Sequence, residues 1–158
     1  MGVYTRYKRD EGGFRKLVEL LESTPESRRQ KMIELGMAED PWFTKKALEY
    51  MYSFKDILAL QDVELAEVLD KAPPRISALA IGKADETVKK RFLRNSKARI
   101  AAEMKSYFDT DVPDRERAGA QMKMITVARD LERVGKVRSK RIPLRISPED
   151  DNGGGEKA

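Results

Sequence analysis

Cysteine and histidine, which carry out much of protein chemistry near neutral pH, are both absent from this chain. Their absence removes disulfide frameworks, Cys/His zinc sites, Cys–His and Ser–His nucleophile pairs and an imidazole general base. Carboxylates and amines remain. Asp109 and Asp111 form an acidic pair, but they precede Pro113 in a segment that reads as a loop, where turn and cap chemistry accounts for them better than acid–base work. A lysine nucleophile needs a desolvated amine, and the lysines here fall on the polar sides of helical patterns. Gly12-Gly13 and Gly153-Gly154-Gly155 lack the spacing of a phosphate-binding loop. The residues point away from enzymes, and no cofactor or metal is expected.

Charge is more informative. The chain has 32 Lys/Arg against 27 Asp/Glu, a formal net charge of +5. Between Asp85 and Tyr107 there are seven cations (Lys89, Lys90, Arg91, Arg94, Lys97, Arg99, Lys105) and three acids (Asp85, Glu86, Glu103). That stretch carries +4 of the total, so the rest is close to neutral. A concentrated basic element indicates a local partner surface, with a solvated helix face as the alternative. Nucleic acid is not the expected partner, because no set of aromatic residues interleaves with these cations as stacking platforms.

Helices must position that element. Met1 to Glu11 reads as an irregular lead. Phe14, Leu17, Val18 and Leu21 then recur at three–four spacing, the signature of an amphipathic helix. Thr24-Pro25 and Asp40-Pro41 are helix starts, with Gly36 a C-terminal stop between them. Phe43, Ala47, Leu48 and Met51 mark a third buried face. Further on, Asp62 reads as a cap before Val63, Leu65, Val68 and Leu69. Pro73-Pro74 starts a helix that Gly82 ends. Ile100, Ala101, Met104 and Phe108 give another stripe, and a long helix runs from about Arg115 to Val134, closed by Gly135. Pro143 argues against a strand at Ile142 to Ile146, and the residues from Ser147 onward read as a disordered tail. The expected fold is all-α, with about eight helices. No apolar run is long enough to span a membrane, and Met1 to Asp10 lacks the apolar core of a secretory leader.

These motifs, in this order, resemble the C-terminal region of the bacterial flagellar motor switch protein family FliG. The resemblance is carried by Gly12-Gly13-Phe14, Glu39-Asp40-Pro41, Met51-Tyr52-Ser53-Phe54-Lys55-Asp56-Ile57, Leu79 to Ala84, Arg91-Phe92-Leu93-Arg94-Asn95, Ser96 to Arg99, Val112-Pro113-Asp114-Arg115, Ala120-Gln121 and Ala128 to Glu132 with Gly135. It implies an armadillo-like helical unit over 12–52, a Met-x-x-Phe hinge at Met51, Tyr52 and Phe54, and a small helical bundle over 53–137, flanked by the lead 1–11 and the tail 138–158. It also implies a rotor component at the cytoplasmic face of the inner membrane. That component meets the cytoplasmic loop of a MotA-type stator protein through a charged helix, and its hinge reorients the last domain when rotation reverses. Other switch-complex proteins, full-length FliG and self-stacking through the armadillo-like unit are the remaining implied contacts.

Carried over residue by residue, Arg99 and Arg115 fall on stator-facing arginines. Lys83 approximates a displaced lysine, and Lys89 and Glu103 complete the charged set. The family's paired acids fall on Ser106 and Tyr107, which carry no charge. The family's N-terminal and middle domains do not fit in the residues before Gly12, so a free-standing, divergent module is expected. The alternative function is an adaptor or regulatory paralogue that binds motility proteins through apolar anchors near Met51, Tyr52 and Phe54 without generating torque.

Overall fold

The computed structural model describes residues 3–148, which form ten α-helices and no strand. Two compact units divide them. One comprises the described residues up to Met51 together with those from Lys140 onward; the other is Tyr52–Ser139.

The first unit holds α1 (Val3–Arg9), α2 (Gly13–Ser23), α3 (Glu26–Glu39) and α4 (Pro41–Tyr50). Its core forms where the apolar stripe of α2 (Phe14, Leu17, Val18, Leu21) meets Phe43 and Ala47 of α4 and Tyr4 of α1. Phe14 stands edge-on to both Phe43 and Tyr50, with ring centroids 5.6 Å apart in each pair. Asp40 caps α4 by accepting from Phe43 N–H at 3.1 Å, with Pro41 at the first helical position. Its other carboxylate oxygen accepts from Lys8 Nζ at 2.9 Å.

The lead expected to be irregular is therefore a helix over Val3–Arg9. Seven residues are too few to display a period, and long-range contacts hold this helix. Tyr4 is buried and its hydroxyl donates to the Met32 carbonyl. Glu39 accepts from Thr5 N–H at 3.0 Å, satisfying a donor of the first turn. Gly36 likewise does not stop a helix. It is buried inside α3, where the Tyr4 ring and Thr44 hydroxyl occupy the space a side chain would need. Thr24 caps the end of α2, bonding back to the Leu20 carbonyl at 2.6 Å, and does not open α3.

The second unit holds α5 (Phe54–Leu58), α6 (Asp62–Lys71), α7 (Pro74–Ile81), α8 (Glu86–Arg94), α9 (Ala98–Tyr107) and α10 (Asp114–Arg133). Every residue of α7 from Ile76 to Ile81 is buried, so this helix is the centre of the unit, with α9 and α10 against it. Leu65, Val68 and Leu69 of α6, Phe92 of α8, Ile100 and Met104 of α9, and Ala120, Met124, Ile125, Ala128 and Leu131 of α10 complete a continuous, mostly aliphatic core. At the end of α7 Gly82 adopts φ +41°, and the Arg117 side chain fills the space beside it. Gln121 Nε2 donates to the Ala80 carbonyl at 2.9 Å, fastening α10 to the same end.

The basic stretch is thus two helices, because Asn95 to Lys97 break it: Asn95 ends α8 and Lys97 precedes α9. Asp62 lies inside α6 and makes no cap bond. It accepts from Arg91 Nε at 2.9 Å. The segment expected to be a disordered tail is ordered as far as it is described. Arg138 N–H donates to Glu64 Oε2 at 2.7 Å in the second unit, and Ile142 is only 4% exposed in the core of the first. Pro143 interrupts the short apolar alternation of Ile142, Leu144 and Ile146, and Ile142 is buried only because a distant core receives it. Residues 149–158 of the expected tail lie outside the described residues.

Candidate functional site

The charged residues singled out in the sequence lie on consecutive segments of the second unit. Lys83 stands in the turn after α7, and its Nζ is 3.7 Å from Asp111 Oδ1; the two side chains are 78% and 81% exposed. This pair links that turn to the loop between α9 and α10. Arg99 lies in the first turn of α9, 78% exposed, and donates to Glu103 Oε1 at 3.3 Å. With the cation ahead of the anion by four residues, the pair runs in the less favourable direction along a helix and contributes only about 0.2–0.5 kcal/mol. Arg115 is exposed in the first turn of α10 and forms no ion pair among the described residues.

The first turn of a helix is the positive end of its dipole, where a cation is unfavourable by about 0.3–1 kcal/mol. Arg99 adds little to the fold there beyond its exposed pair with Glu103, and α9 has no acid in its first turn to offset the charge. Arg99 is held against local electrostatics and left in solvent, whereas Asp114 and Glu116 in the first turn of α10 offset the equally exposed Arg115. That arrangement suits capture of carboxylates from another molecule.

Lys89 differs from the others. It is only 18% exposed, lies 3.8 Å from Glu86 Oε1, and has its ammonium 5.7 Å from the centre of the Phe108 ring, so it holds α8 to the end of α9. Among the five residues, the direct contact is Arg99 with Glu103. Ser106 is exposed and its hydroxyl turns back to the Glu103 carbonyl at 2.6 Å, while Tyr107 packs against the core. Acidic charge on these segments comes instead from Glu103, Asp109, Asp111, Asp114 and Glu116.

Counting charge along the sequence misjudged several residues. Arg91 looked like surface charge. Its guanidinium instead donates to the Leu58 and Leu60 carbonyls as well as to Asp62, stapling α8 to the end of α5. Lys97 pairs with Asp70 at 2.9 Å. Lys90 and Lys105 are exposed without an ion pair among the described residues, and only the helical register separates them from their occupied neighbours.

At the junction of the units, Met51 ends α4 and its carbonyl accepts from Lys140 Nζ at 2.8 Å. Tyr52 is 1% exposed in the second unit. Its ring centre is 4.1 Å from the guanidinium carbon of Arg129, and its hydroxyl donates to the Ser139 carbonyl. Arg129 in turn pairs with Glu132 at 2.9 Å, with the two side chains 3% and 1% exposed. Ser53 and Asp56 form a reciprocal capping box that opens α5, and Phe54 packs on the same core. Nothing in the sequence marked Arg129 and Glu132 as buried partners of Tyr52.

Among the described residues no group of three or more Asp, Glu, His or Cys is placed to hold a metal ion, and no helix is long and apolar enough to cross a membrane. In curated proteins the chain is 28% identical over 128 residues to the flagellar motor switch protein FliG of Thermotoga maritima, covering 80% of this chain and 38% of that one. It is 26% identical over 128 residues to FliG of Borreliella burgdorferi, covering 80% and 37%. It therefore spans well under half the length of these relatives. In fold it is similar to a crystal structure of FliG from H. pylori (TM-score 0.59, 21% identity, 85% of this chain and 65% of that one) and to a second from the same organism (TM-score 0.55, 22% identity, 84% and 60%). The model of the FliG C-terminal domain family matches residues 37–138, more than half the chain, and the protein belongs to that family.

Proposed function

We propose that this protein is a non-enzymatic rotor-side module of the flagellar motor switch, and that Lys83, Arg99, Glu103 and Arg115 meet an acidic segment of a MotA-type stator protein at the cytoplasmic face of the inner membrane. The placement of Arg99 and Arg115, exposed at the positive ends of α9 and α10, carries this reading. Lys89 acts from behind, by fixing α8 against Phe108. Met51, Tyr52 and Phe54 form the hinge of the proposal, with Met51 in the first unit and Tyr52 in the second. The helices before it are an armadillo-like unit, whose exposed Leu20 and Leu35 fit stacking on another switch protein or a second copy.

Exposed charge pairs contribute little to affinity singly, but their summed field speeds encounter and selects the partner. Binding of a synthetic acidic stator-loop peptide, followed by fluorescence anisotropy, is expected to weaken steeply between about 0.1 M and about 1 M salt, as the Debye length falls from about 10 Å to about 3 Å. Binding that ignores salt would sink the proposal. It would favour the adaptor reading, in which apolar residues near the hinge are the anchors. The burial of Tyr52 counts against that alternative, because this ring is already occupied by Arg129.

A further inference from the structure

The chain passes between its two units twice, at Met51–Tyr52 and again at Ser139–Lys140. The second passage lies just past the residue where the family match ends, 138. Each passage is anchored closely on both sides. In the second unit, Tyr52 donates to the Ser139 carbonyl, Arg138 N–H donates to Glu64 Oε2 at 2.7 Å, and Val137 is buried. In the first unit, Lys140 Nζ donates to the Met51 carbonyl at 2.8 Å, Ile142 is 4% exposed beside Tyr4, Phe14 and Phe43, and Ile146 packs on the same cluster. Lys140 also takes a left-handed φ of +51°, which a non-glycine residue adopts only where its surroundings hold it.

We infer that residues 140–148 are a strap that restrains the hinge: with Ile142 seated in the first unit, the two passages act as a double tether. A single peptide link lets two bodies swivel about many axes. Two short links, bonded to each other on either side, confine them to rotation about the line that joins the links. Release of Ile142 returns the hinge to a single link and widens the range of arrangements the units sample. This inference does not rest on the stator reading, because it concerns motion within one chain.

The chain has no cysteine, so labels can be placed cleanly at Leu35→Cys in the first unit and Lys105→Cys in the second, both exposed in the structure. Pulsed electron paramagnetic resonance on the full chain then reads the distribution of distances between the two labels. Inserting four Gly/Ser residues between Ser139 and Lys140 leaves Ile142 free to seat but gives the second link about 10–12 Å of added reach. The width of the distribution is expected to rise at least about twofold with that insertion, and also with Ile142→Asp, because either change loosens one of two links. If Ile142→Asp unfolds the first unit, the insertion decides alone. An unchanged width in the insertion variant overturns the strap.

Discussion

The two units reach stability by different means. The second buries a continuous, mostly aliphatic core around α7, with the Ser77 hydroxyl inside it and one buried ion pair beneath Tyr52. The first has a smaller core built on edge-on aromatic rings, and part of that core comes from residues beyond the second unit in sequence. Two of its titratable groups are shifted from their ordinary ranges. Burial, then the charge of Glu39 and the nearby Tyr7, hold the Tyr4 hydroxyl above the usual tyrosine range. Burial opposes ionisation of Asp40, but Lys8 and the Phe43 N–H outweigh it and hold the carboxyl below the usual range. A domain that is contiguous in sequence can fold on local periodicity. One that is not depends on single residues arriving from elsewhere.

Breaking the buried ion pair is the sharpest way to separate the units. Glu132→Gln leaves Arg129 charged and buried, a loss of about 3–5 kcal/mol. The single Trp, Trp42, sits in the first unit. Urea unfolding followed by circular dichroism should therefore shift to lower denaturant while Trp42 fluorescence keeps its midpoint. Coincident shifts in both signals would show one cooperative body and remove the contrast.

The next largest effect belongs to the strap. Ile142→Ala removes a fully seated side chain and is expected to destabilise the first unit by about 2–4 kcal/mol. Here the Trp42 transition moves and the remaining helical signal does not.

Acid and alkali provide a third contrast. Asp40 has its folded pKa below the unfolded one, so its contribution is complete above about pH 4 and is lost as pH falls through the lowered value. Tyr4 has its folded pKa raised, so its contribution holds below about pH 10 and is lost as pH rises beyond it. Trp42 fluorescence in a pH series should show the first unit weakening at both extremes. Asp40→Ala should cost about 1 kcal/mol at neutral pH and flatten the acid limb. An acid limb unchanged by that substitution would remove Asp40 as its cause.

The same contrast explains what could be read from the sequence. The all-α class, the ends of α7 and α10 at Gly82 and Gly135, and the buried face of α9 were visible, because three–four spacing and glycine stops are local signals. Helix α1, the interior position of Gly36 and the burial of Ile142 were not, because each is decided by a partner far away in sequence. Charge behaved similarly. Composition located the basic element but could not separate Arg91, which donates to backbone carbonyls, from Arg99, which faces solvent.

The smallest expected effect on stability falls at the proposed contact surface. Arg99→Glu should change the unfolding free energy by no more than about 1 kcal/mol, since it loses only an exposed pair with Glu103 and removes a cation from the positive end of α9. Its effect on binding should be far larger. Reversing Arg99 and, separately, one acidic residue of the stator peptide to Lys gives a double-mutant cycle in which each change alone weakens binding. The expected result is a loss of about tenfold for Arg99→Glu with the native peptide and recovery of most of it when the reversed protein meets the reversed peptide. Losses that simply add, with no recovery for any acidic position of the peptide, would contradict the placement of Arg99 at the stator contact.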